Sequence, residues 1–226
     1  MKLTVLYDNE ALEGFRKGWG FSCLIEHVGK KILFDTGWDG RKLIYNMKKA
    51  GINKGDLDVI ALSHNHWDHI GGLTRVLHPG VEVYVPMSFS KRLKKEISKE
   101  VLLHEVEGPV RIMEGIHLTG ELGAAVKEQA MAVDMGKGLL VITGCAHPGL
   151  DVLMDAANIF GRVTGVMGGF HDFDEIDSLG GLDMIVPCHC TKRKELILNQ
   201  FPEKSIACAT GLNLNGNDVG GEPLDK

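Results

Sequence analysis

The sequence predicts a layered α/β sandwich, with two sheets face to face and helices outside. Three observations carry that expectation. Strand-like and helix-like segments are mixed along the 226 residues, with helices late in each half. No linker or low-complexity stretch divides the chain, so residues 1–226 are expected to form one domain, long enough to bury a substantial core. Several strand-like runs, such as L-L-V-I-T at 139–143, are apolar at nearly every position, as buried strands are.

Taken in order, residues 3–7, 21–28 and 31–34 read as strands joined by tight turns, with Gly29-Lys30 suited to a hairpin. Residues 41–50 form an amphipathic helix through Leu43, Ile44 and Met47, stopped by Gly51. A strand at 58–62 and a short helix at 70–77 follow. The run 81–85 alternates through Glu82 and Tyr84 as a half-buried strand does, and 88–98 is a charged helix. Short alternating runs with glycine punctuation over 101–133 predict a meander of antiparallel strands. Beyond the strand at 139–143 come a helix at 150–160 with Leu150, Leu153, Met154 and Ala157 on one face, strands at 163–167 and 183–186, a helix at 192–201 and a last strand at 205–209. The tail at 213–226, rich in Gly and Asn, is expected to be loose.

Bulk properties exclude some functions. A net charge of -5 argues against a non-specific nucleic-acid binder, which carries a basic footprint. The one basic run, Lys91-Arg92-Leu93-Lys94-Lys95, reads as a solvated helix face. No apolar run is long enough to span a bilayer. The opening M-K-L-T-V-L-Y-D turns polar too soon for a signal peptide, so a cytoplasmic location is expected. Five cysteines, an odd number, do not make a disulfide framework.

Chemistry concentrates at residues 63–72, S-H-N-H-W-D-H-I-G-G. His64, His66, Asp68 and His69 put three imidazoles and a carboxylate directly after an apolar strand. Such donors suit zinc, iron or manganese. In an extended segment, side chains at i and i+2 face one way, so His64 and His66 can grip one metal. Asp68 and His69 lie a turn further on and can reach a second. Four more apolar strands run out at a ligand-type residue: Asp35 in D-T-G, His147 in T-G-C-A-H, His171 in G-G-F-H and His189 in P-C-H-C. Ligands of α/β sheets gather at one edge of the strands, and scattered surface histidines would not choose that place repeatedly. His147 and His189 read as metal ligands, with a capped strand-end histidine as the plain alternative; His171 is a ligand, a substrate contact or a packing residue.

Other features read more plainly. Cys188 and Cys190 flank His189, and alternation along a strand makes them two core thiols facing away from it. Trp67 and Phe170 either wall a pocket for a flat ring or pack in the core. Thr191-Lys192-Arg193-Lys194 opens a helix after His189; a helix start with cations is an anion site, and Lys192 and Arg193 are expected to hold a substrate phosphate.

With D-T-G at Asp35, H-x-H-x-D-H at His64 to His69, and His147 and His189 in order behind them, the chain resembles the metallo-β-lactamase superfamily. The phrases T-G-C-A-H-P-G, G-G-F-H and P-C-H-C-T, with Y-D-N near the start, are similar to one branch, that of the archaeal dihydropterin-aminobenzene-ribofuranoside phosphate synthases. The resemblance implies a four-layer αββα sandwich with a dinuclear site at the edge between the sheets. It implies that His64, His66 and His147 hold one metal and Asp68, His69 and His189 the other, with Asp35 behind them as an acceptor that orients an imidazole. Most two-metal members place a bridging Asp where this chain has His171. An imidazole bridges two metals poorly, so His171 is expected to make the metals unequal or to act on substrate.

The expected function is therefore that of a metal-dependent enzyme with two divalent transition metals, zinc first and manganese or iron after it. Its substrate would be a small phosphorylated or ester-type metabolite. A metal pair about 3.5–4 Å apart presents hydroxide as nucleophile near neutral pH, with Asp68 as proton acceptor. In a synthase of the pterin branch the same pair would stabilise a leaving diphosphate. The rivals are a mononuclear iron oxidoreductase of the sulfur dioxygenase type, an RNA-processing nuclease, whose inserted basic arm is not seen here, and a metal-stabilised binding module, against which an open ligand set speaks.

Overall fold

The computed structural model describes residues 1–216. Within them the strands are β1 (Lys2–Tyr7), β2 (Ser22–His27), β3 (Lys30–Phe34), β4 (Val59–Ala61), β5 (Glu82–Pro86), β6 (Leu102–Val106), β7 (Val110–Met113), β8 (Ile116–Leu118), β9 (Met131–Asp134), β10 (Leu139–Thr143), β11 (Val163–Gly169), β12 (Met184–Cys188) and β13 (Asn213–Asn215). The helices are α1 (Gly40–Lys49), α2 (Trp67–Ile70), α3 (Leu73–Val76), α4 (Lys91–Ile97), α5 (Leu150–Ala157) and α6 (Lys194–Gln200). One sheet has the order β13-β1-β2-β3-β4-β5-β6 and the other β12-β11-β10-β9-β8-β7.

Alternation along the strands makes three apolar layers, because every central strand is covered on both faces. Val5, Cys23, Ile25, Ile32 and Phe34 of the first sheet face Leu118, Met131, Val133, Leu140 and Ile142 of the second. Their neighbours Leu6, Leu24 and Leu33 point outward to Leu43 and Met47 of α1 and to Leu73 and Val76 of α3. On the far side, Val141, Val166 and Ile185 meet Leu150, Leu153 and Ala157 of α5 and Ile197 of α6. The result is the αββα sandwich expected. Helix α1 starts where Asp39 accepts a hydrogen bond from Arg41 N, and Lys48 and Lys49 in its last turn complement the helix dipole. Among the described residues no helix is long and apolar enough to cross a membrane.

Each sheet has an antiparallel part and a parallel part. Strands β3, β4, β5 and β6 pair in parallel, as do β10, β11 and β12. Parallel strands end at one edge, so β3, β4, β10, β11 and β12 deliver the residues that follow them to a common rim.

Five local expectations need correction. The turn between β2 and β3 is Val28-Gly29, since His27 pairs with Lys30. Both residues have positive φ, 47° and 73°, as a two-residue hairpin of this kind requires. The helix expected at 70–77 is two single turns, α2 and α3, split at Gly71-Gly72. A Cβ on Gly71 would stand 2.2 Å from Trp38 O and one on Gly72 2.3 Å from Thr36 O, so the glycines serve close backbone contact instead of helix. The meander is confined to β7, β8 and β9; β6 joins the other sheet, parallel to β5. Residues 205–209 make one bridge, Ser205 to Ile185, and no strand. Finally, 213–215 of the expected loose tail form β13 against β1, while the rest of the tail from 217 lies outside the described residues.

Candidate metal centre

At the common rim the backbone is turned sharply. Five non-glycine residues among those described have positive φ, and four are here: Asp35 (58°), Ala146 (59°), His171 (44°) and His189 (42°). Left-handed backbone costs an L-residue about 1–2 kcal/mol. Such strain persists where the surrounding packing over-determines it, typically at functional sites. Here it bends each chain end inward so that side chains from different strands meet.

His64, His66 and His147 bring one nitrogen each within 4.8 Å of the others. Their protonation can be read from the hydrogen bonds. Asp35 accepts from Ser63 N (2.7 Å) through Oδ1 and from Ser63 Oγ (2.7 Å) through Oδ2. Having given its only proton to Asp35, the Ser63 hydroxyl can only accept from His64 Nδ1 (2.9 Å). His64 therefore carries its proton on Nδ1 and leaves a lone pair on Nε2. That atom is fully buried and has no hydrogen-bond partner. His66 Nδ1 and His147 Nε2 lie 3.2 Å apart beside it.

Asp68, His69, Cys145 and His189 make a second set with the same spacing. His69 Nδ1 donates to Asp35 Oδ2 (2.7 Å), and its Nε2 faces inward, 3.1 Å from Cys145 Sγ and 3.9 Å from Asp68 Oδ2. His189 Nε2 stands 3.0 Å from Asp68 Oδ2. The Asn9 amide donates to His189 O (2.8 Å), the Gly20 N–H donates to His189 Nδ1 (3.2 Å), and Asn9 Oδ1 stands 3.1 Å from the same ring nitrogen. The sets are adjacent, with His64 and His69 ring centroids 4.2 Å apart.

Burial sets the charge states. It holds His64 well below the ordinary histidine range, helped by the neighbouring imidazoles, and lowers His66 and His189. His147 is pushed down to about 4, again chiefly by burial. These four rings are thus neutral near pH 7, the form a metal needs. His69 is the exception: burial lowers it, but the Asp35 charge and hydrogen bond outweigh burial and raise it. Burial would raise Asp68, yet its hydrogen bond to His189 and the charges beside it leave its carboxyl well below the usual range.

Two residues of the site escaped the sequence reading. Cys145 shares T-G-C-A-H with His147, but the positive φ of Ala146 between them sends the two side chains to different sets. Glu128, fully buried, accepts four consecutive backbone N–H groups: Gly144, Cys145 and Ala146 on Oε1 (2.9, 2.9 and 3.0 Å) and His147 on Oε2 (2.9 Å). Burial raises its pKa although those bonds oppose the shift. Glu128 thus holds the loop that carries one donor of each set. Gly144 permits the approach, since a Cβ there would stand 2.2 Å from Ser63 Oγ.

Other expected residues take different places. His171 joins neither set; its ring is 4.9 Å from that of His147, and Nδ1 contacts Asp172 Oδ2 (3.1 Å). It lines a cleft of about 460 Å³ with His147, Pro148, Asp151, Phe173 and Glu175. Lys192 pairs with Asp172, and Arg193 donates to the carbonyls of Asp172 (2.9 Å) and Phe173 (3.3 Å). Helix α6 begins only at Lys194, whose Nζ turns away to Cys208 O. Lys192 and Arg193 thereby brace the loop behind His171, with Arg193 at the N-cap position of α6. Phe170 is buried in the outer core, whereas Trp67 is exposed beside His66. Cys188 faces the core, but Cys190 does not: its thiol donates to Cys145 O (3.9 Å). All five cysteines are free. Trp19, unremarked in the sequence, packs edge-on against His189.

An αββα sandwich with oriented imidazoles and carboxylates at the rim between its sheets defines a class, that of hydrolase-type enzymes that depend on divalent metal. The donor chemistry fits such ions, and the orphaned His64 Nε2 is the sharpest sign of it. Residues 20–155 match the family model of the metallo-beta-lactamase superfamily. The chain is 30% identical to the 7,8-dihydropterin-6-methyl-4-(beta-D-ribofuranosyl)-aminobenzene-5'-phosphate synthase of Methanocaldococcus jannaschii, over 81% of this chain and 85% of that one. It superposes with a TM-score of 0.77 and 29% identity on Tm1679, described as a metal-dependent hydrolase of the beta-lactamase superfamily, covering 95% of this chain and 98% of that one. Human tRNase Z, short form, shares the fold at 15% identity and a TM-score of 0.65, covering 95% and 99%. The chain belongs to the metallo-β-lactamase superfamily.

Proposed function

We propose that the protein hydrolyses a small phosphorylated or ester-type metabolite with a pair of divalent transition metals, zinc foremost. One observation carries the reading: His64 Nε2 is buried, deprotonated and unpartnered at the point where His66 and His147 also aim a nitrogen. His64, His66 and His147 would hold one metal; Asp68, His69 and His189 would hold the other. Bound there, the metals supply Lewis-acid polarisation of a phosphoryl or carbonyl oxygen and make water acidic enough to react near neutral pH.

The chain's own groups do the rest. Asp35 and Ser63 lock the two buried imidazoles in one tautomer. The Asp68 carboxylate, ionised and at the rim, accepts a proton. His171 contacts substrate from the cleft side, where its partial exposure leaves the ring reachable. A phosphate that reaches Lys192 would displace Asp172. The likeness to the Methanocaldococcus jannaschii enzyme supports a second reading, a pterin-type synthase in which the same cations stabilise a leaving diphosphate.

Turnover of a phosphodiester reporter by the zinc-loaded protein tests the first reading. His66→Ala is expected to lower kcat at least about 100-fold, a loss of ~3 kcal/mol of transition-state stabilisation. Full activity in that variant removes the mechanism. Diphosphate release that depends on an added arylamine, with no reporter hydrolysis, decides for the synthase.

A further inference from the structure

We propose that Cys145 is the fourth protein donor of the second set, so that Asp68, His69, Cys145 and His189 enclose one metal while His64, His66 and His147 leave theirs open. The inference rests on the metal-dependent reading above and adds a division of labour to it.

Four donors from three separate stretches of chain converge within 4.8 Å of one another. Zinc bonds of about 2.0–2.1 Å to N or O and about 2.3 Å to S give donor-to-donor edges of roughly 3.3–3.6 Å. Three of the six edges in this protein are 3.0 Å from His189 Nε2 to Asp68 Oδ2, 3.1 Å from His69 Nε2 to Cys145 Sγ and 3.9 Å from His69 Nε2 to Asp68 Oδ2. They bracket the expected span. Both imidazoles turn Nε2 towards the set, His69 with its Nδ1 held by Asp35 and His189 with its Nδ1 between Asn9 Oδ1 and the Gly20 N–H. Cys145 is nearly fully buried and is placed by the Glu128 cage on its own backbone N–H.

This also accounts for His171. Where a bridging carboxylate would be expected, the chain offers an imidazole that joins neither set. The donor missing from β11 is supplied instead by the loop after β10. On metal entry the thiol proton leaves to solvent, since a coordinating thiol is deprotonated outright. Four protein ligands make a closed centre, which holds structure and charge; three make an open one, which takes water and substrate. A thiolate further selects zinc or iron over manganese at the second centre. Substrate therefore meets the His64 centre.

Cobalt(II) loading tests this without any substrate. The wild-type protein is expected to show a near-ultraviolet thiolate-to-cobalt charge-transfer band with two cobalt ions bound. Cys145→Ser should lose the band and bind its second equivalent at least about 10-fold more weakly, while Cys190→Ser keeps both. Zinc-edge X-ray absorption of the wild-type protein gives the same answer if the variant does not fold, with one sulfur shared over two zincs. Two bound metals with no sulfur ligand, or a band that survives in Cys145→Ser, overturns the assignment of Cys145 alone. A protein that binds no cobalt overturns the metal-dependent reading beneath it as well.

Discussion

Asp35 Oδ2 lies 2.7 Å from His69 Nδ1 with both side chains fully buried, and the same oxygen takes the Ser63 proton. One carboxylate thereby chooses the tautomer of an imidazole in each donor set, His69 directly and His64 through Ser63. Asp35→Asn puts an amide where both contacts need an acceptor. Metal affinity at both centres is expected to fall about 10–100-fold, read by competition with a chelator. Affinities unchanged at both centres would show that the rings need no such support.

Glu128 makes a comparable claim about the loop at 144–147. Glu128→Gln replaces an oxygen facing His147 N–H with a donor group. Leaving a buried donor unsatisfied costs about 1–3 kcal/mol. Thermal denaturation of the metal-free protein should show a lower Tm, and metal affinity should fall with it. A Tm within error of wild type would mean that the loop holds itself.

The lowered histidines make the metal-free protein acid-sensitive. His147 titrates at about 4 in the folded chain and near its ordinary value of about 6.5 when unfolded. His64, His66 and His189 are shifted the same way. Between those values the unfolded state binds more protons, so stability falls as pH drops from about 6.5 towards 4. His69 is raised and acts in the opposite sense, above 6.5. Glu128, raised by burial, acts in the same sense as His69, and His117 is lowered like the other four; five groups against two predict a lower Tm at pH 5 than at pH 7 for protein stripped of metal. Equal or higher Tm at pH 5 contradicts the assigned charge states.

Val28 offers a test of the fold alone. A β-branched residue at φ 47° is a steric outlier, and this one is exposed on a two-residue turn before Gly29. Asn-Gly is the preferred pair for such a turn. Val28→Asn should raise stability by about 0.5–1 kcal/mol in denaturant unfolding, with no change in metal binding. A destabilised variant would mean that the side chain makes a contact worth more than the strain.

Much of this was legible in the sequence, for physical reasons that also set its limits. Strands buried on both faces stand out as apolar runs, and the residues that end them stand out by contrast; hence Asp35, His64, His147 and His189 could be placed at one rim. Strand direction is not written locally, so β6 passed for part of an antiparallel meander when it pairs parallel with β5. Ile206 and Cys208 look like strand residues, yet only Ser205 finds a bridge, because partners are decided by the whole sheet. Cys145 and His147 are two apart, and in an extended chain they would point the same way. Only the left-handed Ala146 separates them, and alanine gives no warning of that. Glu128, in K-E-Q-A, reads as a surface residue; its four donors come from a loop sixteen to nineteen residues further on.

Anomalous diffraction from crystals of the zinc-loaded protein tests the central claim most directly. A peak bounded by His64 Nε2, His66 Nδ1 and His147 Nε2, each within about 2.0–2.1 Å of it, is the expected result. Zinc bound in solution but no peak at those three nitrogens, or His64 Nε2 turned to another partner, would contradict it.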